Sequence, residues 1–280
     1  MTDSTGSGAS PAIVGVFDSG VGGLSVLRAM RRQIPGQPAI YFGDQAHVPY
    51  GSRSLEEVRT FSEAVTRFLL SWGVGLMVVA CNTASAAALH FLRQRFPQMP
   101  FVGMEPAVKP AAETTRSGVV GVLATPATFQ GSLYASVVER FAQGVTILQD
   151  TCPGLVNEIE KGNLDGPEPR AILERALKPM LAQGIDTVVM GCTHYPFVIP
   201  LIEEITGPGV RVIDPAPAVA RQAGRLLAQR GWLAEAGVPA PARFITSGEP
   251  QILERLLPQL LGEGCPVEGA VWEKNVLVIN

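Results

Sequence analysis

Two cysteines of this 280-residue chain stand where an apolar run ends, Cys81 in VVACNTASA and Cys192 in VVMGCTHYP. Val188 to Gly191 are apolar or small and predict the end of a fully buried strand, which Cys192, Thr193 and His194 cannot continue. Pro196 fits the first turn of a helix, so Cys192 is expected at a strand-to-helix turn, where α/β proteins bind ligands. A free thiol titrates near about 8.5, and a helix N-terminus lowers that value. One cysteine can then be a thiolate while the other keeps its proton near neutral pH. Such a pair suits inversion of a carbon stereocentre, in which one group removes a proton from one face and a second delivers a proton to the other. Racemisation and epimerisation are that chemistry. A lone cysteine at a strand end is more often core filler, so the functional reading depends on these two being related.

They are related by an internal repeat. FLLSWGVGLMVVAC lies over KPMLAQGIDTVVMGC when the cysteines are aligned, with Gly73 over Gly184 and Leu70 over Leu181. Upstream, IVGVFDSG lies over VVGVLATP, which sets Asp18 opposite Ala124 and Ser19 opposite Thr125. Downstream, Glu105-Pro106 follows the first cysteine and Asp214-Pro215 the second at nearly the same distance. A repeat of this length is the size of a domain rather than of a solenoid unit. Two similar α/β domains with mainly parallel sheets, related by pseudo-twofold symmetry and facing a common cleft, are therefore expected. The acidic-Pro junctions suggest a first domain of residues 11–106 plus 216–280 and a second of 107–215, with ARFITSG and ILERLLPQLL completing the first.

Strand-like runs at Ile13–Phe17, Ile40–Phe42, Leu76–Ala80, Phe101–Gly103, Val119–Leu123, Val145–Leu148, Thr187–Met190 and Val210–Ile213 alternate with helical segments. The clearest helix starts at Ser54, where SLEE predicts a capping box with Glu57, and its apolar positions Val58, Phe61, Val65, Phe68 and Leu69 keep helical spacing up to Gly73.

The residues around the cysteines suit a small zwitterionic acid. Asn82, Thr83 and Thr193 offer side-chain donors and backbone N–H groups at helix starts, which hold carboxylates. In FDSGVGGLSVL, Asp18 and Ser19 close the first strand, while GVGG lacks the GxGxxG spacing of a dinucleotide site. His194, two residues after Cys192, reads as a proton relay or electrostatic support, with helix capping as the alternative. His90 reads as an ordinary helix residue and His47 as a loop residue. Cys192 and His194 alone are too few for zinc, and none of the four lysines stands at a motif-like strand end. Cys152 and Cys265 read as structural.

Composition bounds the partners. A net charge of −3 and pI near 5.7 lack the basic footprint of a nucleic-acid binder, and a small-molecule ligand is expected instead. Hydrophobic content of 46% with mean hydropathy +0.22 suffices for a sizeable core. No apolar run approaches the roughly 18 residues that cross a bilayer. The four cysteines show no CxxC pairing, so reduced thiols in a cytoplasm are expected. The first ten residues, MTDSTGSGAS, read as a disordered tail and neither signal peptide nor anchor.

FDSGVGGLSVL, VPYGSRS, VVACNTASA and GCTHYPFV, in this order, resemble the glutamate racemases of the cofactor-independent aspartate/glutamate racemase superfamily, over about Gly15 to Asp214. The resemblance implies interconversion of L- and D-glutamate without a cofactor, supply of D-glutamate for bacterial peptidoglycan, and two cysteines as the acid/base pair. It implies that Cys81 takes the α-proton of D-glutamate and Cys192 that of L-glutamate, assisted by Asp18 and His194. Asp18, Ser19 and Thr193 would bracket the amino group, Asn82, Thr83, Thr125 and Thr128 the α-carboxylate, and Pro49, Tyr50, Gly51 and Ser52 the distal carboxylate. Glu160 matches a family glutamate near the site and would support His194, although Asn157 and Glu158 stand where the family commonly has apolar residues. Members often form homodimers. Some carry a longer N-terminal extension and need a peptidoglycan precursor as activator; the short polar stretch here implies activity without one. An aspartate racemase, or an amino-acid-binding protein without turnover, are the rival readings.

Overall fold

Val, Ile, Leu and Phe fill the short runs named above, and burial on both faces turns them into parallel strands rather than amphipathic ones. The computed structural model describes residues 11–235, 237 and 239–280, so the ten-residue tail lies outside the described residues. The strands are β1 (Ile13–Asp18), β2 (Ala39–Gly43), β3 (Val74–Val79), β4 (Phe101–Gly103), β5 (Val119–Ala124), β6 (Thr146–Asp150), β7 (Thr187–Gly191), β8 (Arg211–Ile213), β9 (Ala242–Thr246), β10 (Val267–Glu273) and β11 (Val276–Ile279). They form two sheets, ordered β11-β10-β9-β2-β1-β3-β4 and β6-β5-β7-β8. Every neighbouring pair is parallel except the β10–β11 hairpin.

The internal repeat is visible in this order. The four-strand unit β2-β1-β3-β4 of the larger sheet has the connectivity of the whole smaller sheet, with β1 equivalent to β5 and β3 to β7. Residues aligned in sequence also share register: Phe17 pairs with Val79 as Leu123 pairs with Met190. Helices Leu55–Ser71 and Pro167–Ala182 lead into β3 and β7. Both are followed by the aligned glycines, Gly73 at φ +76° and Gly184 at φ +80°, the left-handed conformation that releases a helix into a strand. At its start, the first of these helices has the expected capping box, with Ser54 and Glu57 satisfying each other's backbone N–H groups.

All eight expected strands are present, together with β9 from ARFITSG and helix Pro250–Leu261 from ILERLLPQLL. The hairpin β10–β11 has no counterpart in the sequence reading. Its turn passes through Lys274 at φ +58°, without the Asn-Gly or Asp-Gly pair that usually marks a hairpin. The two halves share one apolar layer: a continuous cluster runs from Val14, Val16, Leu24 and Leu27 to Val188, Met190 and Ile202. Among the described residues no helix is long and apolar enough to cross a membrane.

Candidate active site

Parallel strands present their carboxyl ends on one side, and there the sheets meet. Cys81 follows β3 and caps helix Asn82–Arg95, its Sγ accepting the Ala84 N–H at 3.4 Å. Cys192 follows β7, but Pro196 and Pro200 shape what comes after it into a 3₁₀ turn, Tyr195–Val198, and α-helix begins only at Ile199. The helix start expected at both cysteines is therefore present at Cys81 alone. Both thiols line one cavity with Ser19, Pro49, Tyr50, Gly51, Asn82, Thr83, Thr125, Thr193 and His194. The helix-start contact does not decide the Cys81 thiol. Burial, with the neighbouring Asp18 charge, pushes it well above its ordinary value despite that N–H, so it holds its proton.

Asp18 ends β1 wholly buried, accepting hydrogen bonds from the backbone of Ser19 at 2.7 Å and Gly23 at 2.5 Å and, across the interface, from Thr193 Oγ1 at 3.2 Å. Burial raises its carboxyl above the usual range, against the pull of His194 and Cys81. On the other side His194 Nδ1 lies 3.7 Å from Cys192 Sγ, and its Nε2 lies 2.6 Å from Glu160 Oε1. Burial works against the imidazolium, yet the contacts with Cys192 and Glu160 outweigh it and hold His194 well above its usual value. The Glu160 carboxyl is lowered in turn, because His194, Val21 and Gln45 overcome its own burial. The glycines of FDSGVGG have their reason here. A methyl group at Gly20 would overlap the Glu160 carboxylate, and one at Gly22 would overlap His194 Nδ1. They permit close approach of the opposite half, not a nucleotide.

Two further features define what the cavity accepts. Thr83, Thr125 and Thr128 form a buried hydroxyl ladder, 2.9 Å at each step, which bridges the two halves. Beside it Asn82 is 3% exposed, and neither polar atom of its amide has a partner. A buried, unpartnered amide is costly unless a ligand supplies both a donor and an acceptor. The cavity volume is only about 10 Å³, room for about one water.

Of the residues expected at the site, Asp18, Thr128 and Glu160 stand directly behind the lining, and Ser52 points to solvent with its hydroxyl 3.3 Å from Pro49 O. Val156, which the sequence reading missed, also lines the cavity. Its signal was present: it lies one helical turn before Glu160, on the same face of helix Leu155–Glu160. Tyr50 is buried with its hydroxyl 2.6 Å from Asp44, so the 49–51 segment is anchored from behind. Cys152 is buried with its thiol pushed up by burial, while His90 is exposed.

Fold and site together define a class: two-sheet α/β proteins that enclose a pair of thiols between the carboxyl ends of their sheets. Residues 14–223 match the family model for Asp/Glu/hydantoin racemases. The chain is 53% identical over 251 residues to a glutamate racemase of Pseudomonas aeruginosa, covering 90% of this chain and 94% of that one. It is similar in structure to Escherichia coli glutamate racemase in complex with L-glutamate and the activator UDP-MurNAc-Ala, with TM-score 0.80, 34% identity, and 92% and 97% of the two chains covered. A Francisella tularensis glutamate racemase in complex with D-glutamate matches at TM-score 0.80 and 27% identity, covering 94% and 98%. The chain belongs to the Asp/Glu/hydantoin racemase family.

Proposed function

We propose that this protein is a glutamate racemase, interconverting L- and D-glutamate by proton transfer between two thiols and supplying D-glutamate for peptidoglycan in the cytoplasm. The observation that carries the reading is the pair of repeat-related cysteines lining one cavity around an unpartnered Asn82 amide. From L-glutamate, Cys192 takes the α-proton, and Cys81, whose burial keeps it protonated, delivers a proton to the opposite face. From D-glutamate the roles exchange. His194, held charged by Glu160, supports Cys192, and Asp18 does the same for Cys81. The amino group is placed among Asp18, Ser19 and Thr193. The α-carboxylate is assigned to Asn82, Thr83 and Thr125, with Thr128 supporting Thr125 from behind, and the distal carboxylate to Pro49 to Gly51. The domain division at Pro106 and Pro215 belongs to the same proposal, since β4 and β8 both end just before these prolines.

The test is circular dichroism of L-glutamate, D-glutamate and L-aspartate, each with purified protein and no added cofactor. Both glutamate signals are expected to decay to zero while aspartate persists. Decay of aspartate alone would overturn the substrate assignment, and binding of glutamate without decay would leave an amino-acid-binding protein.

A further inference from the structure

Glu160 is used on both of its oxygens. Oε1 takes the Val21 N–H at 2.8 Å as well as His194 Nε2. Oε2 takes Gln45 Nε2 at 3.1 Å. Without that second contact the carboxylate is held through Oε1 alone, and its broad terminal torsion is less constrained in its alignment with the imidazole.

Gln45 is itself oriented. Its Oε1 lies 2.8 Å from Thr246 Oγ1, whose one proton is shared between this oxygen and Gly43 O at 3.1 Å, and the same hydroxyl accepts the Gly248 N–H at 3.0 Å. The Glu160 carboxylate only accepts, so the Gln45 NH₂ faces it and the Gln45 carbonyl faces the hydroxyl of Thr246, which is fully buried at the end of β9. The Gln45 Cβ packs where a side chain on Gly248 would stand, at 2.8 Å, which fixes the stem as well. Gln45 and Thr246 belong to the larger sheet's half and Glu160 to the smaller sheet's half, so the contact exists only while the two halves are together.

We propose that Gln45, oriented by Thr246, is a positioning residue for the racemisation: it fixes the Glu160 carboxylate across the interface and so keeps His194 aligned with Cys192. This rests on the racemase reading.

The experiment compares wild-type protein, Gln45→Met, Thr246→Val, Glu160→Gln and the Gln45→Met/Glu160→Gln double variant by kcat/KM across pH. Gln45→Met keeps length and loses the amide. It is expected to lower kcat/KM about tenfold, the scale of one hydrogen bond to a charged group, equally for both enantiomers because their equilibrium constant is 1. The alkaline limb, where His194 loses its proton, is expected to move to lower pH. The groups facing that imidazole are Glu160, Cys192 and Asp18, with Tyr41 and Cys81 beyond them, and only Glu160 touches Gln45. Thr246→Val is expected to shift both readouts in the same direction by less, and it tests the proposal alone if Gln45→Met does not fold. In the Glu160→Gln background Gln45→Met is expected to change nothing further. An unchanged pH profile in Gln45→Met, or losses that multiply in the double variant, would overturn the positioning role. Failure of the racemase reading is distinct from this: the wild-type protein itself would not turn over glutamate.

Discussion

Asn82 carries the proposed ligand contact at the scale of a single residue. Its buried amide has no protein partner on either polar atom and lines the cavity, a cost that a bound ligand would offset. Asn82→Ala is therefore expected to leave the thermal midpoint unchanged or higher while raising KM for glutamate at least tenfold, both readable from a melting curve and initial rates. A lowered midpoint with unchanged KM would make Asn82 structural. The His194–Glu160 pair carries a second expectation. His194 is raised, so its contribution to stability is complete below the unfolded value of about 6.5 and is lost as pH rises through the folded value. Glu160 is lowered, so its contribution is present above about 4.3 and is lost as pH falls through the folded value. Urea unfolding of wild type against Glu160→Gln is thus expected to show its largest difference between about pH 4.5 and 6.5. At this scale the cysteines, Asp18, Thr193 and His194 were legible because strand ends and an internal repeat mark them. Gln45 was not, since its role depends on a partner 115 positions away.

Among elements, the turn from β1 into helix Leu24–Gln33 is the most constrained. Gly22 faces both His194 Nδ1 and the Asp18 carboxylate. Gly22→Ala is expected to cost about 1–3 kcal/mol in unfolding free energy, the scale of overpacking, and to reduce turnover far more than a comparable change at Gly209, where a methyl group meets nothing. Equal effects at the two positions would mean that the turn is not a docking surface. The sequence announced a tight turn here without a dinucleotide signature, but what the glycines approach comes from the other half. The start of helix Leu55–Ser71 was readable because a capping box is local, whereas the 3₁₀ turn after Cys192 was not, because Pro196 is compatible with either helix type.

For the whole molecule, the aligned glycines and cysteines predicted two sheets of like topology, and the shared register of Phe17–Val79 and Leu123–Met190 bears this out. The β10–β11 hairpin escaped because it lies outside the repeat. The cavity between the thiols has a volume of only about 10 Å³, so glutamate is expected to bind a wider form of this cleft, across which the Thr83–Thr125, Thr193–Asp18 and Glu160–Val21 contacts run. A ligand that binds only the folded state couples binding to stability. At a glutamate concentration of 100 times Kd the protein is expected to gain about 2.7 kcal/mol against unfolding, measurable as a rise in denaturant midpoint.

The most direct measurement is proton NMR of L-glutamate with the protein in D₂O, no cofactor added, followed together with optical activity. The α-proton signal is expected to disappear as optical activity decays, and Cys81→Ala and Cys192→Ala are each expected to slow racemisation by 10²-fold or more, on the order of a lost acid/base group. An α-proton that persists while wild-type protein binds glutamate, or a wild-type rate in either cysteine variant, would contradict the two-thiol account.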